Sequence, residues 1–367
     1  MCRAMASRIV VFGATGYTGR LIAERLVSQG VRPVLAARSE ARVAELAASL
    51  GDLEWVRADV LRKNSVFDLV GGPDDVLVAT VGPFEKWGEP ALRAAVAAGC
   101  TYLDSTGEPR FIRRVFEEFG PPAAKSGARL LTAMGYDFAP GALAGALALQ
   151  EAGEGAVRVD VGYYALGGGP TSLSAGTRAS IVGVTLNDNH AFREGRVRSV
   201  RSAERVRSFQ VAGKAREAIS LGGAEHYALP AAFPGLREVN VYLGWFGPLA
   251  RPLQAGSFFG QFVMKVPGTR SAMRLAGETT LGLLGGPEAG TTPDLRSWIA
   301  AEAYDGAGRQ LSEVHLAGVD GYEFTRGFLA WAAQQPVTGV GALGPVQAYG
   351  LERLEQGAAE AGLERVR

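Results

Sequence analysis

The segment Ile9 to Arg20 reads I-V-V-F-G-A-T-G-Y-T-G-R: an apolar, β-branched run breaks into three glycines at three-residue spacing and opens directly into an amphipathic helix. That order of strand, glycine turn and helix is the phosphate-binding turn of a dinucleotide fold. The strand is expected over Arg8 to Phe12. Gly13 allows the tight turn off it, Gly16 lets the backbone approach a pyrophosphate, and Gly19 lets the helix pack on the sheet. Leu21, Ile22, Leu26 and Val27 mark the buried stripe of the helix, whose first N–H groups and positive dipole end face the phosphates. Gly13, Ala14, Thr15, Gly16, Tyr17 and Thr18 are the candidate contacts. The spacing is one residue longer than G-x-G-x-x-G, and a glycine-rich turn that binds nothing is the competing reading. The setting at the head of a strand-helix series favours the phosphate turn.

A second strand, Arg32 to Ala37, ends in Arg38-Ser39 and leads into a helix over Glu40 to Leu50. An acidic residue at the end of this strand accepts from a ribose 2′-hydroxyl, whereas a 2′-phosphate calls for arginine. Arg38 stands there, with Ser39 and Arg42 near enough to add donors, so NADPH is the expected cofactor. A solvated arginine at the head of a helix is the alternative.

At 367 residues the chain has the length of two ordinary domains, and its hydrophobic fraction of 47% is ample for their cores. A net charge of +1 and the lack of a basic patch interleaved with aromatics argue against nucleic acid as a partner. Cys2 and Cys100 offer no disulfide framework, and His190, His226 and His315 are too scattered to suggest a zinc site, so no metal is expected. Met1 to Ser7 lacks the apolar core of a secretory leader, and a cytoplasmic protein is expected. The apolar stretch from Val239 to Val266 is interrupted by Pro248, Arg251, Pro252, Gln254 and Gln261, which disfavours a membrane span. A hydrophobic pocket, a subunit contact such as a homodimer, or surface attachment are the readings left for it.

Over the first 135 or so residues strands and helices alternate. Strand three is expected over Glu54 to Ala58, ending at Asp59, a further candidate cofactor contact, and strand four over the apolar Asp75 to Val81. Helix Glu89 to Ala98 leads to strand Thr101 to Leu103, and helix Phe111 to Ser126 to strand Arg129 to Ala133. The pattern predicts an α/β fold, a doubly wound parallel sheet with its cofactor across the carboxyl ends of the strands. After about Gly153 it changes. Strand-like segments at Val157 to Leu166, Val239 to Leu243, Arg296 to Tyr304 and Gln310 to Ala317 mix with helical stretches at Ser174 to Leu186 and Phe258 to Leu284. Asp305 to Gly308 has the residues of a hairpin turn. The expected division is a dinucleotide-binding domain over 1–150, completed by 336–367, and an α+β substrate or dimerisation domain over 151–335.

Three loops fall where the nicotinamide end of the cofactor belongs. Thr80, Val81, Gly82 and Pro83 are expected to hold the nicotinamide ribose, unless the Gly-Pro pair is only a turn. Asp104 and Glu108 follow strand five; either could orient substrate or relay a proton, and Asp104 could equally cap a helix. Tyr136 and Asp137 follow strand six and are the best placed proton donors to match a hydride. No Tyr-x-x-x-Lys pair occurs in the expected helix. Lys86 could bind a substrate anion but as a lone loop lysine reads as solvated. Glu225 and His226, adjacent in what reads as an extended segment, would point to opposite faces and make no acid-base couple.

Together G-A-T-G-Y-T-G-R, L-A-A-R-S, T-V-G-P-F-x-x-W-G-E-P, Y-L-D-S-T-G-E-P, G-Y-D-F-A-P-G and D-G-Y-E-F-T resemble the saccharopine dehydrogenase-like oxidoreductases, with a closer likeness to their trans-acting enoyl reductase branch. The resemblance implies a Rossmann domain, an inserted α+β domain and a nicotinamide cofactor. It also implies that Ser174-Ala175-Gly176-Thr177-Arg178 faces the active-site cleft. The region Leu243 to Met264 departs from what an amino-dicarboxylic acid would need, being rich in Phe, Trp, Leu and Gly, and suits a bulkier apolar substrate. The expectation is an NADPH-dependent reductase of a C=C or C=N bond in an apolar biosynthetic intermediate. An amino-acid-type imine reductase or dehydrogenase and a non-catalytic NADPH-binding scaffold are the alternatives.

Overall fold

The computed structural model describes residues 8–167, 189–247, 250–263 and 295–366, which form two compact units. The first unit runs to Thr106 and adds Phe111–Ala139 and Tyr322–Gly362. Its strands are β1 (Ile9–Phe12), β2 (Val34–Ala37), β3 (Trp55–Arg57), β4 (Val76–Ala79), β5 (Thr101–Asp104) and β6 (Arg129–Leu131), with the short strand Gly341–Ala342 beyond β6. The order across the sheet is Gly341–Ala342, β6, β5, β4, β1, β2, β3, and every pairing is parallel. Each residue of β1, β2, β4 and β5 is buried, as a parallel sheet covered on both faces requires. Val10, Phe12, Val34, Leu77, Leu92, Tyr102, Phe111 and Leu130 belong to its core. Because all strands run one way, their carboxyl ends share one edge, and the chain reverses direction across the sheet between β1 and β4.

β6 ends two residues before the expected Ala133. Ala133 has φ of 60°, a left-handed conformation that cannot continue a strand.

The second unit comprises Gly107–Arg110, Pro140–Gly321 and the chain's last residues from Leu363. It begins earlier than residue 150 because helix Ala139–Ala152 packs on this unit's sheet. The Ala148 carbonyl accepts the Ser312 hydroxyl at 2.6 Å, and a methyl group on Gly145 would lie 2.8 Å from Leu229. The sheet is built from β7 (Arg158–Leu166), β8 (Asn189–Arg193), β9 (Arg196–Val200), β10 (Val206–Val211), β11 (Lys214–Leu221), β12 (Glu238–Leu243), β13 (Arg296–Tyr304), β14 (Gln310–Gly318) and the terminal strand Leu363–Val366. The order is β10, β11, β12, β7, β13, β14 and the terminal strand, with β8 pairing β12 and β9. β12 and β7 are parallel and the other pairs antiparallel, so this is a mixed α+β sheet.

The expected hairpin holds. Asp305 accepts the N–H groups of Ala307 and Arg309 at 3.0 and 2.9 Å. Strands β8 to β11 were not expected, because their turns use Glu194-Gly195 and Ala212-Gly213, both residues of each pair at positive φ, in place of the Asn-Gly or Asp-Gly signal. Helix Ala250–Val263 replaces the start of the helix expected at Phe258. The rest of that helix, the helix expected at Ser174 to Leu186 and the cleft segment Ser174 to Arg178 lie outside the described residues.

Candidate functional site

The carboxyl edge of the first sheet gathers the residues picked out in the sequence. At the end of β1, Gly13 takes φ of 91°, and a methyl group there would come within 2.6 Å of Thr80 Oγ1. On Gly19 it would come within 2.3 Å of the Gly13 carbonyl oxygen, so both glycines are demanded by the turn packing on itself and on β4. Gly16 differs. Its φ of −79° suits any residue, and a methyl group would meet only the Gly13 carbonyl oxygen, at 3.2 Å. The fold constrains that glycine less than the other two, and the exposed face it leaves clear fits a phosphate group. The N–H groups of Gly13 and Ala14 donate to the Ala36 carbonyl at 2.8 and 3.1 Å, and that of Gly16 to the Gly13 carbonyl at 2.9 Å. Thr15 and Thr18, whose N–H groups bond to no described residue, are therefore backbone donors for an anion at the start of helix Tyr17–Ser28. No acidic side chain occupies the first turn of that helix.

At the end of β2, Arg38 is exposed, and its guanidinium makes no hydrogen bond or ion pair with any described residue. Arg42 donates to the Thr15 carbonyl at 3.3 Å and so lies against the glycine turn. Ser39 caps helix Glu40–Ser49 by position only, with no cap bond from its hydroxyl. Arg38, Ser39 and Arg42 thus offer cationic and hydroxyl donors at the end of β2, with Arg42 against the glycine turn. Asp59 holds its own loop, its carboxylate accepting the Leu61 N–H at 3.0 Å.

At the end of β4, Thr80 donates twice to the Phe12 carbonyl, from its N–H at 2.8 Å and its hydroxyl at 3.1 Å. Val81 is half-buried, Gly82 and Pro83 are exposed, and the peptide bond joining Gly82 to Pro83 is cis.

Asp104, at the end of β5, is fully buried and saturated. It accepts the Thr106 N–H at 2.9 Å, the Ala133 N–H at 2.9 Å and the Thr132 hydroxyl at 2.8 Å. Burial pushes its carboxyl up to about 6, against the lowering pull of those donors. It is a tie between β5 and the loop after β6. Glu108 is half-buried and packs with the second unit.

The loop after β6 carries Tyr136, buried, and Asp137, half-buried. Burial pushes the Asp137 carboxyl up to about 7. A carboxyl of that kind can hold a proton near neutral pH and release it on demand.

Other candidates separate from this edge. His226 lies on helix Glu225–Ala232, not in an extended segment. It is buried against His190 with ring centroids 5.3 Å apart, its Nδ1 accepts the Gly223 N–H at 3.0 Å, and desolvation holds it well below its usual range. Its neighbour Glu225 accepts the Tyr163 hydroxyl at 2.6 Å instead. Lys86 stacks its ammonium on the Trp87 ring at 4.5 Å, and burial pushes the Cys100 thiol up to about 12. Among the described residues no cluster of side chains could hold a metal ion, and no helix is long and apolar enough to cross a membrane.

The sequence pattern gives a helix from about Phe324 to Gln334 returning to the first domain but no role for its side chains; the structure has it at Gly321–Ala332, in the first unit from Tyr322 on. Thr325 Oγ1 accepts the Tyr136 N–H at 3.0 Å, the Phe324 ring meets Tyr136 edge-on at 6.4 Å, and the Tyr322 ring meets Tyr17 edge-on at 5.2 Å. Only the D-G-Y-E-F-T string hinted at them, since a helical aromatic stripe ordinarily reads as core.

An NAD(P)H-binding family model matches residues 13–112. An inferred trans-acting enoyl reductase of Mycobacterium tuberculosis is 39% identical over 138 residues, covering 36% of this chain and 33% of that protein. A trans-acting enoyl reductase of Mycobacterium leprae is 36% identical over 138 residues, with the same coverage of 36% and 33%. The match thus spans about a third of the length of these relatives. Saccharopine dehydrogenase (L-Glu forming) of Saccharomyces cerevisiae superposes over 98% of this chain and 99% of its own, with a TM-score of 0.57 at 11% identity. The chain therefore carries an NAD(P)H-binding domain on the fold of saccharopine dehydrogenase, and is related in sequence, over part of its length, to the trans-acting enoyl reductases.

Proposed function

We propose that the protein is an NADPH-dependent oxidoreductase that reduces a C=C bond of an apolar biosynthetic intermediate. The observation behind this reading is one sheet edge bearing, on one side, a glycine turn and an exposed Arg38 guanidinium bonded to no described residue and, on the other, Asp137, whose carboxyl burial pushes up to about 7. Reduction of a double bond adds a hydride to one atom and a proton to its neighbour, leaving NADP⁺. The cofactor supplies the hydride. Thr15, Thr18 and Arg38 bind it, and Thr80, Val81, Gly82 and Pro83 seat its nicotinamide ribose. Asp137 delivers the proton, with Tyr136 as the second donor and Glu108 the third, and the Asp137 carboxylate then recovers a proton from solvent. Asp104 holds the loop that presents Tyr136 and Asp137. An apolar substrate is proposed on the composition of Leu243 to Met264, which is rich in Phe, Trp, Leu and Gly. A cytoplasmic enzyme, working as a homodimer, completes the reading.

The sequence relatives named as enoyl reductases favour C=C over C=N. The fold shared with saccharopine dehydrogenase keeps an amino-acid-type imine reductase as the second reading. Oxidation of NADPH is followed by loss of its absorbance with an enone or enoyl thioester, and separately with an α-keto acid and an amine. Turnover of the first pair is expected. Turnover of only the second would replace C=C by C=N, and tight NADPH binding with no acceptor reduced would make the protein a cofactor-binding scaffold.

A further inference from the structure

The helix Gly321–Ala332 touches the candidate site at two places that the cofactor and proton-donor assignments leave unused. Near its start, the Tyr322 ring packs edge-on against Tyr17, the first residue of the phosphate-turn helix. One turn later, the Thr325 hydroxyl accepts the Tyr136 N–H at 3.0 Å. A backbone N–H that bonds a side chain of another element takes its position from that element, and the fit is close. A methyl group on Gly135 would lie 3.2 Å from Thr325 Oγ1 and 3.4 Å from Ser105 Cβ. On its other side the loop is fixed by Asp104, whose carbonyl accepts the Met134 N–H at 2.8 Å and whose carboxylate accepts the Ala133 N–H at 2.9 Å. Thr325 is thus one hold on the Tyr136 side, and it belongs to the same helix as the ring on Tyr17.

We infer that Tyr322 and Thr325 are positioning residues that couple occupation of the phosphate turn to the placement of the Tyr136–Asp137 loop. A pyrophosphate against the first turn of helix Tyr17–Ser28 fixes Tyr17. Tyr17 fixes Tyr322, and the helix then holds Thr325 under the Tyr136 N–H. The inference rests on the proposed reductase reading for its kinetic arm only, and hydrogen exchange tests it without turnover.

In the whole protein, NADPH is expected to slow amide exchange of the peptide covering 134–138 by about tenfold, and to do so much less in Tyr322→Ala. Equal slowing in both proteins, or none in a wild-type protein saturated with NADPH, overturns the coupling. Kinetically, Thr325→Val should lower kcat by about tenfold with the NADPH Kd within about twofold, and shift the pH-rate profile, while Thr325→Ser restores both. A Thr325→Val enzyme with wild-type kcat and profile, or a Thr325→Ser enzyme as impaired as Thr325→Val, removes the hydroxyl from the device. If NADPH binds and no acceptor is ever reduced, the reductase reading fails alone and the exchange result still decides the coupling.

Discussion

The Asp104 carboxylate accepts the backbone N–H of Ala133 at 2.9 Å, across the gap between β5 and the loop that follows β6. Ala133 sits at φ of 60°, where a residue with a side chain is disfavoured, and the buried carboxylate is one of the contacts that hold it there. An acidic residue at the mouth of a dinucleotide sheet invites a catalytic reading, but this one has no exposed surface and three donors already bound. Replacing it with alanine should leave the N–H groups of Thr106 and Ala133 and the Thr132 hydroxyl without their acceptor. The expected loss is about 3 kcal/mol of folding stability, near the upper end of the cost of orphaned buried groups, read from denaturant midpoints. A variant as stable as the parent would free Asp104 for a role in chemistry.

The three glycines of the phosphate turn should behave differently. Gly16→Val should still fold, its Cβ crowding only the Gly13 carbonyl oxygen at 3.2 Å, yet fail to bind the cofactor, because the side chain would take the exposed face that the phosphate needs. Gly19→Ala should instead be destabilised by about 1–3 kcal/mol or more, since its methyl group would lie 2.3 Å from the Gly13 carbonyl oxygen. Thermal melts with and without NADPH separate the two. A Gly16→Val protein whose melting temperature still rises with NADPH as the parent's does would move the phosphate site elsewhere.

Arg38 should decide between the two nicotinamide cofactors. Loss of a charge-assisted fork to a 2′-phosphate costs roughly 1.5–3 kcal/mol, so Arg38→Ala should weaken NADPH about 10- to 150-fold and NADH hardly at all. Arg42→Ala should weaken NADPH less, because its guanidinium is already engaged with the Thr15 carbonyl. Fluorescence titration of both cofactors checks this, and equal losses for the two would detach Arg38 from the 2′-phosphate.

The raised Asp137 carboxyl gives two pH signatures. As proton donor it is active when protonated, so the reductive rate should fall about tenfold per pH unit above about 7, and Asp137→Asn should lower the rate at least tenfold with NADPH affinity nearly unchanged. Stability follows the same proton. With a folded value of about 7 and an unfolded value near 4, the native state binds more protons between those limits, so stability is fullest at the acid end and declines as pH rises toward 7. Asp104, raised to about 6, adds a decline of the same sign over a narrower window. Asp137→Asn should flatten the part of the stability profile above pH 6. A wild-type slope in that variant would assign the dependence to another group.

Much of the first unit is written in local patterns. The apolar runs of β1, β2 and β4, the glycine turn and the spacing of helices between strands fix a parallel sheet, and a parallel sheet puts its strand ends on one edge. That was enough to bring Gly13, Arg38, Thr80, Asp104 and Tyr136 to one line from sequence alone. The second unit was half legible: β7, β12, β13 and β14 were foreseen, but β8 to β11 turn on Glu194-Gly195 and Ala212-Gly213, pairs whose first residue carries no turn signal of its own.

What tertiary structure alone decided is the state of each side chain. Asp104 and Asp137 both follow strands and look equivalent in the sequence. Packing gives one of them three donors and pushes the half-buried carboxyl of the other up to about 7, so one becomes a tie and the other a candidate proton donor. The hold of Thr325 on Tyr136 spans 189 residues of chain, and no spacing or periodicity reports on contacts between elements so far apart. Sequence periodicity determines which residues face a core and where strands end. Desolvation and long-range hydrogen bonds, which set the chemistry of those residues, exist only once distant segments have packed against them.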